Sequence, residues 1–418
     1  MNISLNYGSS TIELRADIAC VLDQVKPAAA AGAPDPLAVV SASLLKPIGV
    51  PVNKPITPDT TVAIAINDKT RPVPHKYLLP PLLDWLSRQS ISPDHITFYI
   101  ATGTHAPMMP DEFSRILPPE ILEKYGVVSH DCDDPAQLID LGVTSAGTQV
   151  SVNKRFYHSD LKIVVGNIEP HHFMGFSGGV KSAAIGLAAR KTILQNHAHL
   201  VEVEAATGRY HGNPCRDDVE EIGRLIGVDF ALNAILNEQK EIVQILWGNP
   251  VDVMLRGIEI STNLTQVVVP HRYDCVIASA GGFPKDINLY QAQKALTNAA
   301  AICKDGGYVF LIAECREGAG SPGFVDFLKR ATTPAAVMEL FSTEGFSIGP
   351  HKAFQIARIA ARVSIHLLSS LPDAFAAQLL FEPTTKSELE KFIATLPPES
   401  SAAWMPQAVA TIPYLEGE

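Results

Sequence analysis

The chain has 418 residues, 46% hydrophobic and 18% charged, which is enough apolar material for two or three domains rather than one core. A formal net charge of −11 without a basic stripe argues against a nucleic-acid partner. No run of about 18 apolar residues occurs, and Met1-Asn-Ile-Ser-Leu lacks leader character, so no membrane role is implied and a cytoplasmic location is expected.

Six cysteines without a Cys-x-x-Cys read as buried thiols rather than a disulfide framework or zinc ribbon. Residues 3–14 alternate as a hairpin would, and the Ala/Pro/Gly-rich stretch 27–36 reads as a helix-poor connection without chemistry. Residues 61–66 form a buried-type strand followed by Asn67-Asp68-Lys69-Thr70-Arg71-Pro72. Arg71, at a strand's carboxyl end, can grip a carboxylate through two parallel N–H bonds, or is a surface arginine before a proline turn. The next strand, 96–101, delivers Thr102-Gly103-Thr104-His105, and Pro107 and Pro110 delay any helix to 111 or later. His105 there suits a general base, or is a polar loop residue.

Residues 161–165 read as a strand leading into Gly166-Asn-Ile-Glu-Pro-His171-His172-Phe173-Met-Gly-Phe-Ser177-Gly178-Gly179-Val180-Lys181. The glycines permit positive φ and close approach, and a helix starting near Val180 would favour an anion such as phosphate. Lys181 does not complete a Walker pattern, because Val180 stands where glycine is needed. It is a phosphate counter-ion, a covalent attachment point, or an exposed lysine. Consecutive βα units put Arg71, His105 and His171 along one sheet edge. His197 closes a helical stretch at 191–200; a lone histidine is a weak metal signal, so missing ligands would have to come from a cofactor.

A helix at 217–226 and a strand at 229–236 precede an inter-domain crossing at 267–272. A second α/β unit then runs through strands 275–280 and 306–313 and a helix at 288–303. Tyr290, Gln291 and Lys294 share one face of that helix. Lys294 is a solvated lysine or, with Arg71, half of a carboxylate clamp across an inter-domain cleft. The expected fold is α/β, two α/β domains with an active-site cleft between them. The domain containing the histidines would span 1–262, joined by 395–418 packing back on it, and a smaller domain would span 272–390.

Taken together, Asp68-Lys-Thr-Arg71-Pro, Gly103-Thr-His105, Glu169-Pro-His171, Gly175-Phe-Ser-Gly-Gly-x-Lys181, Asn196-His197 and Gly281-Gly-Phe-Pro-Lys-Asp-x-Asn-Leu-Tyr290-Gln291 with Lys294 resemble the lactate racemase family. The resemblance covers most of the chain in the family's order. It implies a nickel-pincer nucleotide, a pyridinium mononucleotide with thioamide and thiocarboxylate sulfurs on nickel, attached at Lys181 with His197 as the protein's nickel ligand. Sulfur donors with one imidazole suit nickel. It implies His105 and His171 as acid/base residues, Arg71, Lys294, Gln291 and Tyr290 around a small-molecule 2-hydroxy acid, and Asp68, Phe173, Ser177, Gly178 and Gly179 on the cofactor side, with Asp68 orienting a histidine. Proteins of cofactor biosynthesis would be partners. The expected reaction is inversion at C2 by proton-coupled hydride transfer. The family's Gly-Gly-Arg-Lys is Gly-Gly-Val180-Lys here, which removes a possible phosphate or substrate contact. His172 stands where an apolar or aromatic residue is common, which points to a substrate with more polar reach than lactate. The alternatives are a non-catalytic relative binding an organic acid or phosphorylated metabolite, and a zinc hydrolase using His105, His171 and His197.

Overall fold

The structure, a computed structural model, describes residues 2–16, 19–49, 54–71 and 73–416. The chain divides into two compact units, Ala29–Leu264 and a second made of Met1–Ala28 with Thr265–Glu418. Among the described residues no helix is long and apolar enough to cross a membrane.

The Ala29–Leu264 unit is built on a six-stranded sheet. In spatial order its strands are Ile242–Gly248, Phe230–Leu236, Leu161–Asn167, Val62–Asn67, Ile96–Ala101 and Gly126–Ser129. All neighbours are parallel except the first pair. The central strands are almost wholly buried, as their unbroken apolar runs require in a sheet covered on both faces. On one face Val62, Ile64, Ile66, Phe98, Ile100, Ile163 and Val165 pack against Leu78, Leu79, Leu82 and Leu86 of the helix His75–Arg88 and Val40 and Leu44 of Pro36–Leu44. That second helix begins where the stretch read as helix-poor ends; Asp35 accepts from the Ala38 amide and Pro36 supplies the first helical φ, so a capped start is encoded there. Parallel pairing places the ends of Val62–Asn67, Ile96–Ala101 and Leu161–Asn167 on one edge, so the segments bearing Arg71, His105 and His171 leave the sheet side by side.

The second unit has its own parallel sheet, in the order Glu382–Pro383, Ser364–Leu368, Cys303–Ile312, Tyr273–Ser279, Ser401–Met405 and Val21–Gln24. This corrects the expected domain boundaries. Residues 401–405 do not return to the histidine-bearing unit: they pair with Tyr273–Ser279 on one side and Val21–Gln24 on the other, and the N-terminal hairpin Asn2–Tyr7/Ser10–Arg15 belongs to this unit too. The physical reason is that Tyr273–Ser279 needs a strand partner on its open edge, and Ala402, Ala403 and Met405 supply fully buried side chains there. The stretch read as a crossing is likewise a strand, Gln266–Val269, paired with Ile412–Leu415 inside the same unit. All six cysteines are buried free thiols.

Candidate active site

The segment after Val62–Asn67 turns immediately, with the Arg71 amide donating to the Asp68 carbonyl at 3.1 Å and the Arg71 side chain exposed. Asp68 is buried, 3% exposed. One of its oxygens accepts from the Thr70 hydroxyl at 2.6 Å and amide at 3.1 Å; the other accepts from His105 Nδ1 at 2.7 Å. Burial by itself would raise this carboxyl, but the hydrogen bonds from His105 and Thr70 outweigh it and hold it below the usual carboxylate value. A carboxylate only accepts, so His105 carries its proton on Nδ1 and its lone pair on Nε2. The imidazole is about half exposed. Its loop is sutured to the segment behind Lys181 by the Gly103 amide donating to the Gly186 carbonyl at 3.0 Å.

His171 lies in a two-residue ladder, Pro170–His171 against Gly175–Phe176. Its Nδ1 accepts from the Met174 amide at 3.3 Å, so this ring is oriented with the lone pair inward and the proton on Nε2, the opposite tautomer from His105. His172 stacks on it with centroids 4.6 Å apart, and the buried Phe173 ring meets His171, His172 and His197 edge-on at 4.7, 4.6 and 5.0 Å. One phenyl thus gathers three of the imidazoles the chain spends here.

The Ser177-Gly178-Gly179 loop uses positive φ at both glycines, +91° and +57°. Its amides are already engaged: Ser177 donates to the Glu169 carbonyl and Gly179 to Asn233 Oδ1, each at 2.7 Å. The helix that follows, Lys181–Ala184, is a single turn. The helix expected to start near Val180 is thus only one turn long, and the two loop amides that lead into it are engaged by the fold. Val180 is buried against the helix Pro214–Ile226 at Gly223, where an added Cβ would sit 2.5 Å from it; in this chain the position contributes packing.

Several residues that shape the site were not legible in the sequence. Arg216, wholly buried, donates to the Phe176 and Gly178 carbonyls at 3.2 Å and pairs with Glu220. It therefore pins the loop ahead of Lys181. Its signal was the four-residue Arg-Glu spacing on a helix, which surface pairs also show. Asn196 precedes His197 in the sequence motif, and its Oδ1 lies 3.1 Å from His197 Nδ1. Lys181 is half-buried and close enough to the Cys215 thiol for its charge to act on it. Burial is the largest effect on that thiol, which is pushed up to about 12, with Lys181 opposing. The Cys215 carbonyl in turn accepts from Asn196 at 2.9 Å, the residue whose Oδ1 faces His197. Among the described residues the only three-membered set of metal-type ligands within 4.8 Å is Asp131-Cys132-Asp133, and Asp133 is taken by a two-toothed pair with Arg190. His105, His171 and His197 form no such set, which disfavours the zinc-hydrolase reading.

In the second unit Asn288 caps the helix Leu289–Ala301 through the Gln291 amide at 3.0 Å. Lys294 Nζ donates to Gln291 Oε1 at 3.3 Å, so these two polar groups do lie together. Tyr290 is partly buried and its phenol is raised by burial. Lys352, 2% exposed, sits over the Tyr290 ring at 5.6 Å and donates to Gln293 Oε1 at 2.8 Å; nothing in the sequence singled it out.

Fold and residues define a two-domain α/β protein with a histidine-rich strand-end site. Residues 7–208 match the lactate racemase N-terminal domain and 268–383 the lactate racemase C-terminal domain, while 113–317 also match a domain of unknown function, DUF362. The chain is 33% identical over 286 residues to lactate racemase of Thermoanaerobacterium thermosaccharolyticum, covering 68% of this chain and 67% of that protein. It is 32% identical over 311 residues to that of Lactiplantibacillus plantarum, covering 73% and 72%. The solved lactate racemase apoprotein from T. thermosaccharolyticum superposes with a TM-score of 0.90 at 27% identity, covering 99% of this chain and all of that one. A Thermotoga maritima protein shares the fold, with TM-score 0.66 and 16% identity over 92% of this chain and all of that one. The chain belongs to the lactate racemase family, and it is a racemase.

Proposed function

We propose that the protein inverts C2 of a 2-hydroxycarboxylic acid using a nickel-pincer nucleotide attached at Lys181 and ligated to nickel through His197. The donor chemistry fits such a group: Lys181 is a half-buried amine and His197 an imidazole whose Nδ1 faces an amide oxygen. When bound, the cofactor would supply the acceptor and donor for the C2 hydride. The observation that carries the reading is a pair of histidines whose Nδ1 atoms are held by opposite kinds of partner, a carboxylate and a backbone amide. His105, held at Nδ1 by Asp68, offers an Nε2 lone pair able to take the substrate's hydroxyl proton. His171, accepting at Nδ1 from Met174, offers an Nε2–H to a substrate oxygen. Loss of the hydroxyl proton and the C2 hydride gives a 2-keto acid, and return of both with the hydride on the other face inverts the centre. Arg71 offers a cation to the carboxylate; Lys294, hydrogen-bonded to Gln291, and Tyr290 are the second unit's candidates for substrate contact. His172, stacked on His171, favours a substrate with a polar extension beyond lactate.

The test is intact-mass and nickel analysis of protein from a host that makes the cofactor, with racemisation followed over a panel of 2-hydroxy acids. Lys181→Ala should lose the covalent adduct. His197→Ala should keep some organic adduct and lose nickel. His105→Ala and His171→Ala should stay loaded while racemisation drops by about 10²–10⁴-fold. Normal nickel in the His197 variant, or near-wild-type turnover in either loaded histidine variant, would overturn the scheme.

A further inference from the structure

His197 does not choose its own tautomer; a buried chain of hydrogen bonds behind it does. Asp218, on the helix Pro214–Ile226, is 2% exposed. Its Oδ1 accepts from the Thr144 hydroxyl at 2.6 Å, and its Oδ2 from the Thr148 hydroxyl at 2.9 Å and from Asn196 Nδ2 at 2.8 Å. The second proton of that amide goes to the Cys215 carbonyl at 2.9 Å. Both neighbours of Nδ2 are thus pure acceptors, so flipping the Asn196 amide would put its oxygen against a carboxylate and a carbonyl with no donor between them. Asn196 is wholly buried, where such a loss is expensive. The amide oxygen therefore faces His197 Nδ1, at 3.1 Å. An oxygen that can only accept requires Nδ1–H, and the ring's lone pair falls on Nε2. Isolated neutral imidazole side chains prefer the other tautomer, with the proton on Nε2, so the surroundings reverse the ring's intrinsic preference. The Phe173 ring, edge-on at 5.0 Å, packs against the same imidazole and opposes its rotation.

We infer that Asp218 and Asn196 are a positioning pair that holds His197 as its Nδ1–H tautomer and so prepares Nε2 as a metal ligand; the use of that ligand rests on the nickel reading above. Backing of a ligating histidine by a hydrogen-bond acceptor is the arrangement metal sites require, because it sets both ring orientation and tautomer. Here the acceptor is a neutral amide, and the charge that fixes it stands one residue further back, on a different helix. Thr144 and Thr148, from the turn between Leu138–Val143 and Gln149–Asn153, complete the anchoring of Asp218.

The experiment uses full-length protein labelled with 15N-histidine, with His197 assigned by its absence in His197→Gln and its tautomer read from long-range 1H–15N correlations without cofactor. Wild-type protein should show Nδ1–H. Asn196→Ala should move His197 to Nε2–H or to a mixture, and the nearly isosteric Asp218→Asn should give a mixture even if Asn196→Ala folds poorly. In cofactor-loaded protein both should weaken nickel retention by about 10–100-fold at unchanged covalent adduct. A wild-type Nε2–H tautomer, or a tautomer unmoved in both variants, would overturn the inference. If the tautomer shifts as expected but His197→Ala retains full nickel, the positioning pair stands and the nickel reading falls.

Discussion

At the scale of single residues, the two candidate acid/base histidines are distinguished by their partners rather than their exposure. His105 has a carboxylate behind it, and His171 has a backbone amide. Asp68→Asn removes the carboxylate while keeping the shape, and should lower racemisation by loosening the hold on the His105 ring at Nδ1. It should also change stability with a definite sign. The folded value of Asp68 lies below its ordinary 3.8, so its charged form contributes stability that is complete above that value and is lost as pH falls through the lower folded one. Urea midpoints between pH 7 and pH 2.5 should therefore show a shallower acid decline in Asp68→Asn than in wild type, from a lower plateau. Parallel curves would mean that the Asp68–His105 bond carries no net stability.

Among the elements, the helix His75–Arg88 is headed by a histidine that serves the fold. His75 is 3% exposed, its Nδ1–H donates to the Ile116 carbonyl at 3.2 Å, and its Nε2 is buried without a partner. Burial pushes the imidazole down to about 4, with the Ile116 bond opposing, against an ordinary value of 6.5. In that interval the unfolded chain binds the proton and the folded one does not. The stability from keeping this ring neutral is thus whole above pH 6.5 and is lost as pH falls toward 4. His75→Asn, which keeps a donor near the Nδ1 position and cannot titrate, should lose less stability between pH 7 and pH 4.5 than wild type in urea unfolding. An equal loss would locate the acid sensitivity elsewhere. The same contrast explains why residue type alone misleads: His75 and His105 are both histidines near a strand end, and only burial separates a packed ring from a half-exposed one.

For the whole molecule, the second unit is closed by chain segments from opposite ends of the sequence. Ser401–Met405 sits inside its sheet and Val21–Gln24 at the edge. Ending the chain at residue 396 should abolish cooperative unfolding of that unit, since Tyr273–Ser279 then faces water along a whole edge; calorimetry of wild type and truncation would show it, and an unchanged profile would refute the role of the strand. Much of the molecule was legible in the sequence because its signals are local. Unbroken apolar runs gave the strands at 61–66, 96–101 and 161–165, turn chemistry gave their polar ends, and the order of Arg71, His105, His171, Lys181 and His197 marked the family. What only the tertiary structure decided is non-local: which edge residues 401–405 join, that Val180 faces Gly223, that the Gly179 amide is spent on Asn233, and that Asp218 reaches His197 through Asn196. Periodicity and spacing report how a segment partitions between water and core. They carry no information about which distant segment supplies the matching donor or acceptor, and in this protein those pairings set the tautomers of the site.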